Sequence, residues 1–437
     1  MLNTIRNKAF WTLDSIKNEF VRKAFYEIDK YYNMDSNSSE MHNYHEKTLN
    51  KLISHAVKTT KFYSGYKNAH ELYDLPVVDK NVIRSKQDSF LSSMFSKKNL
   101  IQMSTSGSTG TPFTSFQNKE KKKRVNAETI FFNGKAGYKV GNNFIYLRSL
   151  NIKNKKSKLK QWIQNEKLID VNNLDDQEIQ SLLSQIKDYS KKESATMLSY
   201  ASTYDALADY FQRKGIESIK DCKIHGIIST SEILYNSTRK QMMKVFGCDC
   251  LSRYANMENG ILGQDTVLFP NSFILNEANY YIEILEFDSN EPVKDGELGR
   301  IVVTDLYNYA MPMIRYDTGD VGTFKLMNIN GNNKKVISNF NGRKIDMIFD
   351  VNGNHISPHK ISVAFWDIPG LKQFQFIQEN AGKYRVLLIV DNYFGDTDLK
   401  NKLHRILGKE AIINFNKVQE IPTLNSGKRK YIINKTL

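Results

Sequence analysis

Cysteine is scarce in this chain and long apolar runs are missing altogether. The three cysteines in 437 residues, Cys222, Cys248 and Cys250, are too few and too oddly numbered for a disulfide framework, and they fit a reducing compartment. Neither Cys222 with His225 nor Cys248 with Cys250 supplies the paired spacing of a closed zinc site, so they read as small apolar residues of buried strands. No stretch of about 18 apolar residues occurs, which excludes a membrane-spanning helix. The opening Met1 to Lys30 mixes charges with Phe10, Trp11 and Phe20 and has no apolar signal core. A cytoplasmic location is the expectation. No internal repeat of fixed period is visible.

What is present is length and positive charge. A chain of 437 residues exceeds the roughly 250 to 300 at which single cores stop growing, so two or more domains are expected. The net charge of +15 attracts anions, whether nucleic acid, an anionic membrane face or phosphorylated small molecules. The densest basic runs, Lys119 to Arg124 and Ile152 to Lys160, do not alternate with aromatics as a base-stacking platform would. Both are read as solvated helix faces, and nucleic acid is not an expected partner.

Apolar residues at three-to-four spacing, through Ile16, Phe20, Val21, Phe25 and Ile28 and again around Leu49, Leu52 and Val57, predict a helical entry segment over residues 1–95. Strands and helices then alternate. Asn118 begins a helix running to about Gly137, and Asn143 to Leu147 is a short buried strand. Met197 to Tyr200 leads into a helix capped by Ser202 and ended by Gly215. Ile224 to Ile228 leads into one capped by Asn236 and ended by Gly247, and a strand begins at Cys250. This alternation predicts an α/β fold of layered sheets with much parallel pairing. From Tyr280 the pattern turns to β, with strands at Tyr281 to Phe287, Gly299 to Asp305 and Gly319 to Leu326. The division expected is a large domain over residues 1–342, carrying this β subdomain, and a small mobile α+β domain over 343–437. In the latter, Ser357-Pro358 starts a helix, strands follow at Phe374 to Gln378 and Tyr384 to Val390, and a helix spans about Thr397 to Leu407.

The most telling segment is Ser104-Thr105-Ser106-Gly107-Ser108-Thr109-Gly110-Thr111-Pro112. Gly107 and Gly110 let consecutive N–H groups converge, and the hydroxyls of Thr105, Ser106, Ser108, Thr109 and Thr111 add donors, so the stretch is an anion nest. It lacks the Lys that follows the second Gly of a Walker loop, which excludes that class. Four further segments carry chemistry. Tyr254-Ala255-Asn256-Met257-Glu258 offers a carboxylate for a hard cation. Tyr316-Asp317-Thr318-Gly319-Asp320 offers one that can accept from both hydroxyls of a ribose. Asn341-Gly342-Arg343-Lys344-Ile345-Asp346 and Asn425-Ser426-Gly427-Lys428-Arg429-Lys430 offer cations, the lysines on flexible stems.

In this order the five segments resemble the adenylate-forming superfamily of acyl-CoA synthetases, luciferases and peptide-synthetase adenylation domains, over most of the chain. Leu75-Pro76-Val77-Val78-Asp79-Lys80 ahead of the loop is similar to the phenylacetate-CoA ligase branch, including its relatives in capsular polysaccharide biosynthesis. The resemblance implies that Thr105 to Thr111 hold the β- and γ-phosphates of ATP, that Tyr254 stacks on adenine, and that Glu258 holds Mg²⁺. It gives Asp320 the ribose, Arg343 ribose or phosphate at a hinge between the domains, and Lys428 the carboxylate and α-phosphate. Ser231 and Glu232 lie where the family places a short segment against the adenine. Met257 replaces the usual Thr or Ser, and Ile345 the usual Asp or Lys of the pivot. The implied activity is an ATP-dependent, AMP-forming ligase that activates a carboxylic acid with loss of pyrophosphate and passes the acyl group to CoA, or to an amine or sugar acceptor. The contrary expectation is a non-catalytic, anion-binding protein that keeps the fold.

Overall fold

The computed structural model describes residues 2–105, 113–150, 155–338, 340, 348–356, 361, 364–365, 368, 370–390, 396–421 and 431–436. The entry segment is helical as expected: α1 (Leu2–Ile16), α2 (Phe20–Asn33), α3 (Ser39–Thr59), α4 (Lys80–Ser85) and α5 (Gln87–Phe90). Side-chain oxygens start two of these helices. The Ser38 hydroxyl accepts from the Met41 amide, and the Asp79 carboxylate accepts from the Asn81 and Val82 amides, so that orphan donors of the first turn are satisfied.

A hairpin follows, β1 (Ile101–Thr105) against β2 (Phe113–Gln117), with Thr105 opposite Phe113. Asn118 then caps α6 (Lys119–Lys135). Next come β3 (Asn143–Arg148), α7 (Lys158–Gln164), β4 (Glu166–Asp170), α8 (Asp176–Ser190), β5 (Ala195–Tyr200), α9 (Ala201–Arg213), β6 (Ile224–Thr230), α10 (Asn236–Phe246) and β7 (Cys250–Asn256). The β4 and α8 pair is absent from the sequence reading. Strands β3 to β7 all run parallel, and their core holds Met197, Ile227 and the side chains of Cys222 and Cys250. His225, on β6, is taken up by hydroxyls of Thr196 and Ser194 at 2.8 and 3.0 Å.

The sheet continues antiparallel through β8 (Gly260–Gln264), β9 (Phe273–Leu275), β10 (Tyr280–Leu285), β11 (Gly299–Asp305), β12 (Tyr316–Ile329) and β13 (Asn332–Ser338). Its eleven strands are ordered β10-β11-β12-β13-β9-β8-β7-β6-β5-β3-β4. The β part is joined to the α/β part through β12, whose first half pairs with β11 and whose second half pairs with β13. Beyond it lie β14 (Ile348–Phe349), β15 (His355–Ile356), β16 (Leu371–Asn380), β17 (Lys383–Val390), α11 (Asp396–Leu407), β18 (Ile412–Lys417) and β19 (Ile432–Asn434). Here β18-β17-β16-β19 form a separate four-stranded sheet over a core that includes Phe376, Val386 and Leu403.

Two expectations need correction. Ser202 and Asn236 do not cap their helices: the capping positions are Tyr200 and Tyr235, and neither side chain makes a cap hydrogen bond. At α9 the donor is satisfied from a distance instead, by the Glu232 carboxylate accepting from the Ser202 amide at 2.9 Å. The run from Lys119 to Arg124 is not a solvated face either. Lys121 is fully buried and pairs with Asp305 at 2.7 Å, while buried Arg124 donates to Asn279 Oδ1 at 2.5 Å and to the Ala278 carbonyl at 3.0 Å. A buried cation persists when it is paired and hydrogen-bonded, and the partners here, Asp305, Asn279 and Ala278, all lie in a distant part of the sequence.

Candidate active site

Parallel strands bring their carboxyl ends to one edge, where ligands of α/β sheets are usually found. Tyr200 of β5, Thr230 of β6 and Arg253 of β7 are in register, so Ser231 and Glu232 leave the end of β6 at the level of Tyr254, which is still within β7 and pairs with Gly263 of β8. Ser231 is exposed and holds a left-handed backbone, φ 73°, which is unusual for a residue with a side chain. Of the Glu232 carboxylate, one oxygen caps α9; the other is buried and has no hydrogen-bond partner among the described residues.

Tyr254 and Asp320 meet. The Tyr254 hydroxyl donates to Asp320 Oδ2 at 2.8 Å, and the Asp320 amide is held by the Thr318 hydroxyl at 3.1 Å. Burial, with Asp320 and Glu258 nearby, raises the Tyr254 pKa well above the usual phenol range, so the hydroxyl stays a donor. The Tyr254 ring packs against Phe340 with centroids 4.6 Å apart. A base stacking on Tyr254 therefore has to share or displace Phe340.

Glu258 is 2% exposed, and its two oxygens differ. Oε1 accepts from the Tyr316 hydroxyl at 2.7 Å and from Lys80 Nζ at 2.9 Å. Oε2 is buried with no hydrogen-bond partner among the described residues. The Glu258 carbonyl accepts from Gln117 Nε2 at 3.1 Å, at the end of β2. At the other end of β2, the Phe113 ring lies parallel to that of Tyr316, 6.4 Å away, with Lys80 Nζ 5.9 Å above it. Strand β2 is thus tied directly to Glu258 at its Gln117 end, and at its Phe113 end lies beside Tyr316 and Lys80, the two partners of the Glu258 carboxylate.

Lys80 has no role in the sequence reading, where the stretch Leu75 to Lys80 carries only a resemblance. The backbone explains its position: Val78 donates to the Arg315 carbonyl at 3.0 Å and accepts from Asp317 at 2.8 Å, which lays the segment alongside the start of β12. Asp79 then starts α4, and Lys80 reaches Glu258. Arg315 secures the join from beneath, buried, with its guanidinium on Glu283 at 3.0 Å and on the Leu75 carbonyl at 3.2 Å. The signal that could have found Lys80 is a lysine at the first position of a capped helix next to an otherwise apolar Leu-Pro-Val-Val run.

The structure therefore brings together Tyr254, Glu258 and Asp320, with Ser231 and Glu232 on the neighbouring strand end. Thr105 ends β1, at the root of the loop. Ser106, Gly107, Ser108, Thr109, Gly110, Thr111, Arg343 and Lys428 lie outside the described residues, as does Ile345.

Comparison with known proteins gives consistent results. Residues 348–435 match the family model for the CapK C-terminal domain. Protein CapK of Staphylococcus aureus is 23% identical over 410 residues, covering 90% of this chain and 87% of the relative. A phenylacetate-coenzyme A ligase of Pseudomonas putida is 28% identical over 171 residues, 38% of each chain. Among solved structures, 2-hydroxyisobutyryl-CoA ligase in the postadenylation state, in complex with R3-HIB-AMP, superimposes with a TM-score of 0.70 at 14% identity. That match covers 89% of this chain and 88% of the other.

Proposed function

Starting from a chain that is a homologue of CapK and of phenylacetate-CoA ligases and has the adenylate-forming ligase fold, we propose that it activates a carboxylic acid as acyl-AMP, with release of pyrophosphate. The observation that carries this is the Glu258 carboxylate: buried, held on one oxygen by Lys80 and Tyr316, unpartnered on the other among the described residues, and with both of those partners beside Phe113, which follows the hydroxyl- and glycine-rich segment. An orphaned carboxylate oxygen fits a hard divalent cation such as Mg²⁺, which typically takes one or two protein carboxylates and leaves its other positions to phosphate and water. A Mg²⁺ ion there supplies positive charge against the phosphate oxygens.

The remaining roles belong to the chain's own side chains. Attack of a carboxylate on the α-phosphorus needs positioning and charge neutralisation more than covalent help. Asp320, already oriented by Tyr254 and by Thr318, accepts from ribose hydroxyls. Tyr254 offers its ring to adenine, and Ser231 and Glu232 border that base. Residues Thr105 to Thr111 surround the departing pyrophosphate. Lys80 adds a cation beside Glu258 and keeps that carboxylate aimed. Arg343 contacts ribose or phosphate, and Lys428 neutralises the α-phosphate in the closed pose of a small domain over 343–437.

The acceptor by resemblance is CoA. A second reading, an amine or sugar acceptor in surface-polysaccharide synthesis, is supported by coverage: the match to Protein CapK runs over 90% of the chain, against 38% for the phenylacetate-coenzyme A ligase. The experiment is pyrophosphate release from ATP and Mg²⁺ with a panel of aryl, fatty, amino and sugar-derived acids, each with and without CoA. The reading predicts release stimulated by one class of acid. Release that no acid stimulates supports the non-catalytic, anion-binding alternative.

A further inference from the structure

Helix α1 is apolar on two sides. Its inner side carries Phe10 and Trp11, packed against the core of α2 and α6, together with the Asn7 amide, which donates to the Val140 carbonyl at 2.9 Å, and the buried Asp14 carboxylate, which accepts from the Val21 and Arg22 amides at 3.0 and 2.9 Å. Its apolar residues Leu2, Ile5, Leu13 and Ile16 point outward, each between 47% and 72% exposed, with exposed Ala9 among them. At 3.6 residues per turn these five positions fall within about 80° of one another, so they form a single stripe along the whole helix. A second exposed apolar cluster adjoins it. On α7, Leu159, Trp162 and Ile163 are each at least 58% exposed. Arg6 of α1 joins the two helices, donating to the Trp162 carbonyl at 3.0 Å with its guanidinium 5.3 Å from the Trp162 ring.

Exposed apolar surface that is contiguous and bordered by polar residues marks an interaction site. Its occupant is indicated by charge. Lys8, Lys155, Lys158 and Lys160 are exposed around these helices, and none pairs with an acid among the described residues. Among the described residues, the acids that touch the two helices are engaged: Glu19 pairs with Arg22, Glu193 accepts from Asn3, and Glu166 pairs with Lys156. A second copy of the chain would bring the same lysines against these, at a repulsive cost, and nucleic acid would leave the stripe in water. Helices with Trp, Leu and Ile on one side and lysines beside them suit the headgroup boundary of an anionic bilayer.

We propose that α1 and α7 form a peripheral docking surface for an anionic lipid bilayer, holding the chain flat on the membrane without spanning it. The test uses the full chain and sedimentation with vesicles of phosphatidylcholine, alone or mixed with phosphatidylglycerol, at low and high salt. Co-sedimentation is expected with the anionic vesicles alone, weakened by salt. Ile5→Ser with Ile16→Ser should weaken it about tenfold or more, and so should Lys158→Gln with Lys160→Gln. These four positions are exposed, so the unfolding midpoint should stay that of the parent, and the lysine pair decides the matter if the isoleucine pair does not fold. The proposal is overturned if anionic vesicles do not sediment the chain, or if both pairs bind as the parent does. It is equally overturned if light scattering shows a dimer that Ile5→Ser with Ile16→Ser turns into monomer.

Discussion

Lys121 and Asp305 sit 2.7 Å apart with neither exposed, and the Tyr280 hydroxyl accepts from the same ammonium at 3.1 Å. Close by, Glu128 is also fully buried, its pKa raised by burial and opposed by Lys121. Removing one member of such a pair strands a charge, whereas replacing both with apolar side chains of similar size is often neutral. Lys121→Met should therefore cost about 3–5 kcal/mol in urea unfolding, and Lys121→Met with Asp305→Leu should recover much of that. A single variant as stable as the parent would refute the pairing. The local run Lys-Glu-Lys-Lys-Lys-Arg looks solvated because nothing within it names Asp305 or Asn279 as partners. Glu258 and Asp320 were legible for the opposite reason: each lies in a short segment whose composition already points to its chemistry. Lys80 was not, since its significance depends on a backbone join to β12.

At the scale of elements, most helices and strands followed from apolar spacing, and Asn118 from its capping chemistry. What spacing did not reveal is the order of the strands, because β9 to β13 reach their places through pairings between distant segments. It also missed that the α9 terminus is capped from another loop by Glu232. Helix α3 shows how such docking responds to pH. His45 is 6% exposed, its Nε2 2.8 Å from the Glu277 carbonyl and its ring edge-on to Tyr281. Burial pushes its pKa down to about 4, with Lys335 and His42 acting in the same direction. The unfolded chain takes up this proton at about 6.5, so stability is complete above that pH and is lost as pH falls toward 4. Urea midpoints between pH 7 and pH 4.5, values chosen to bracket that window, should fall less steeply for His45→Gln than for the parent. Parallel curves would show that His45 titrates normally.

For the whole molecule, the large sheet and the small one have separate cores, which suits two bodies that change their relation during a reaction cycle. Lys428 belongs to the second by sequence, so Lys428→Ala is expected to act on one half-reaction. Pyrophosphate release should fall by about 10² to 10³, while acyl transfer from synthetic acyl-adenylate is retained. Equal loss in both steps would remove Lys428 from the catalytic set. The central claim rests on Glu258, and acid-dependent exchange of labelled pyrophosphate into ATP tests it without reference to any acceptor. The parent should exchange in a Mg²⁺-dependent manner, and Glu258→Gln, nearly the same shape without the charge, should lose that exchange while keeping its unfolding midpoint. Exchange by the folded variant within about threefold of the parent would contradict the account, because a cation-binding carboxylate cannot be dispensed with at that cost.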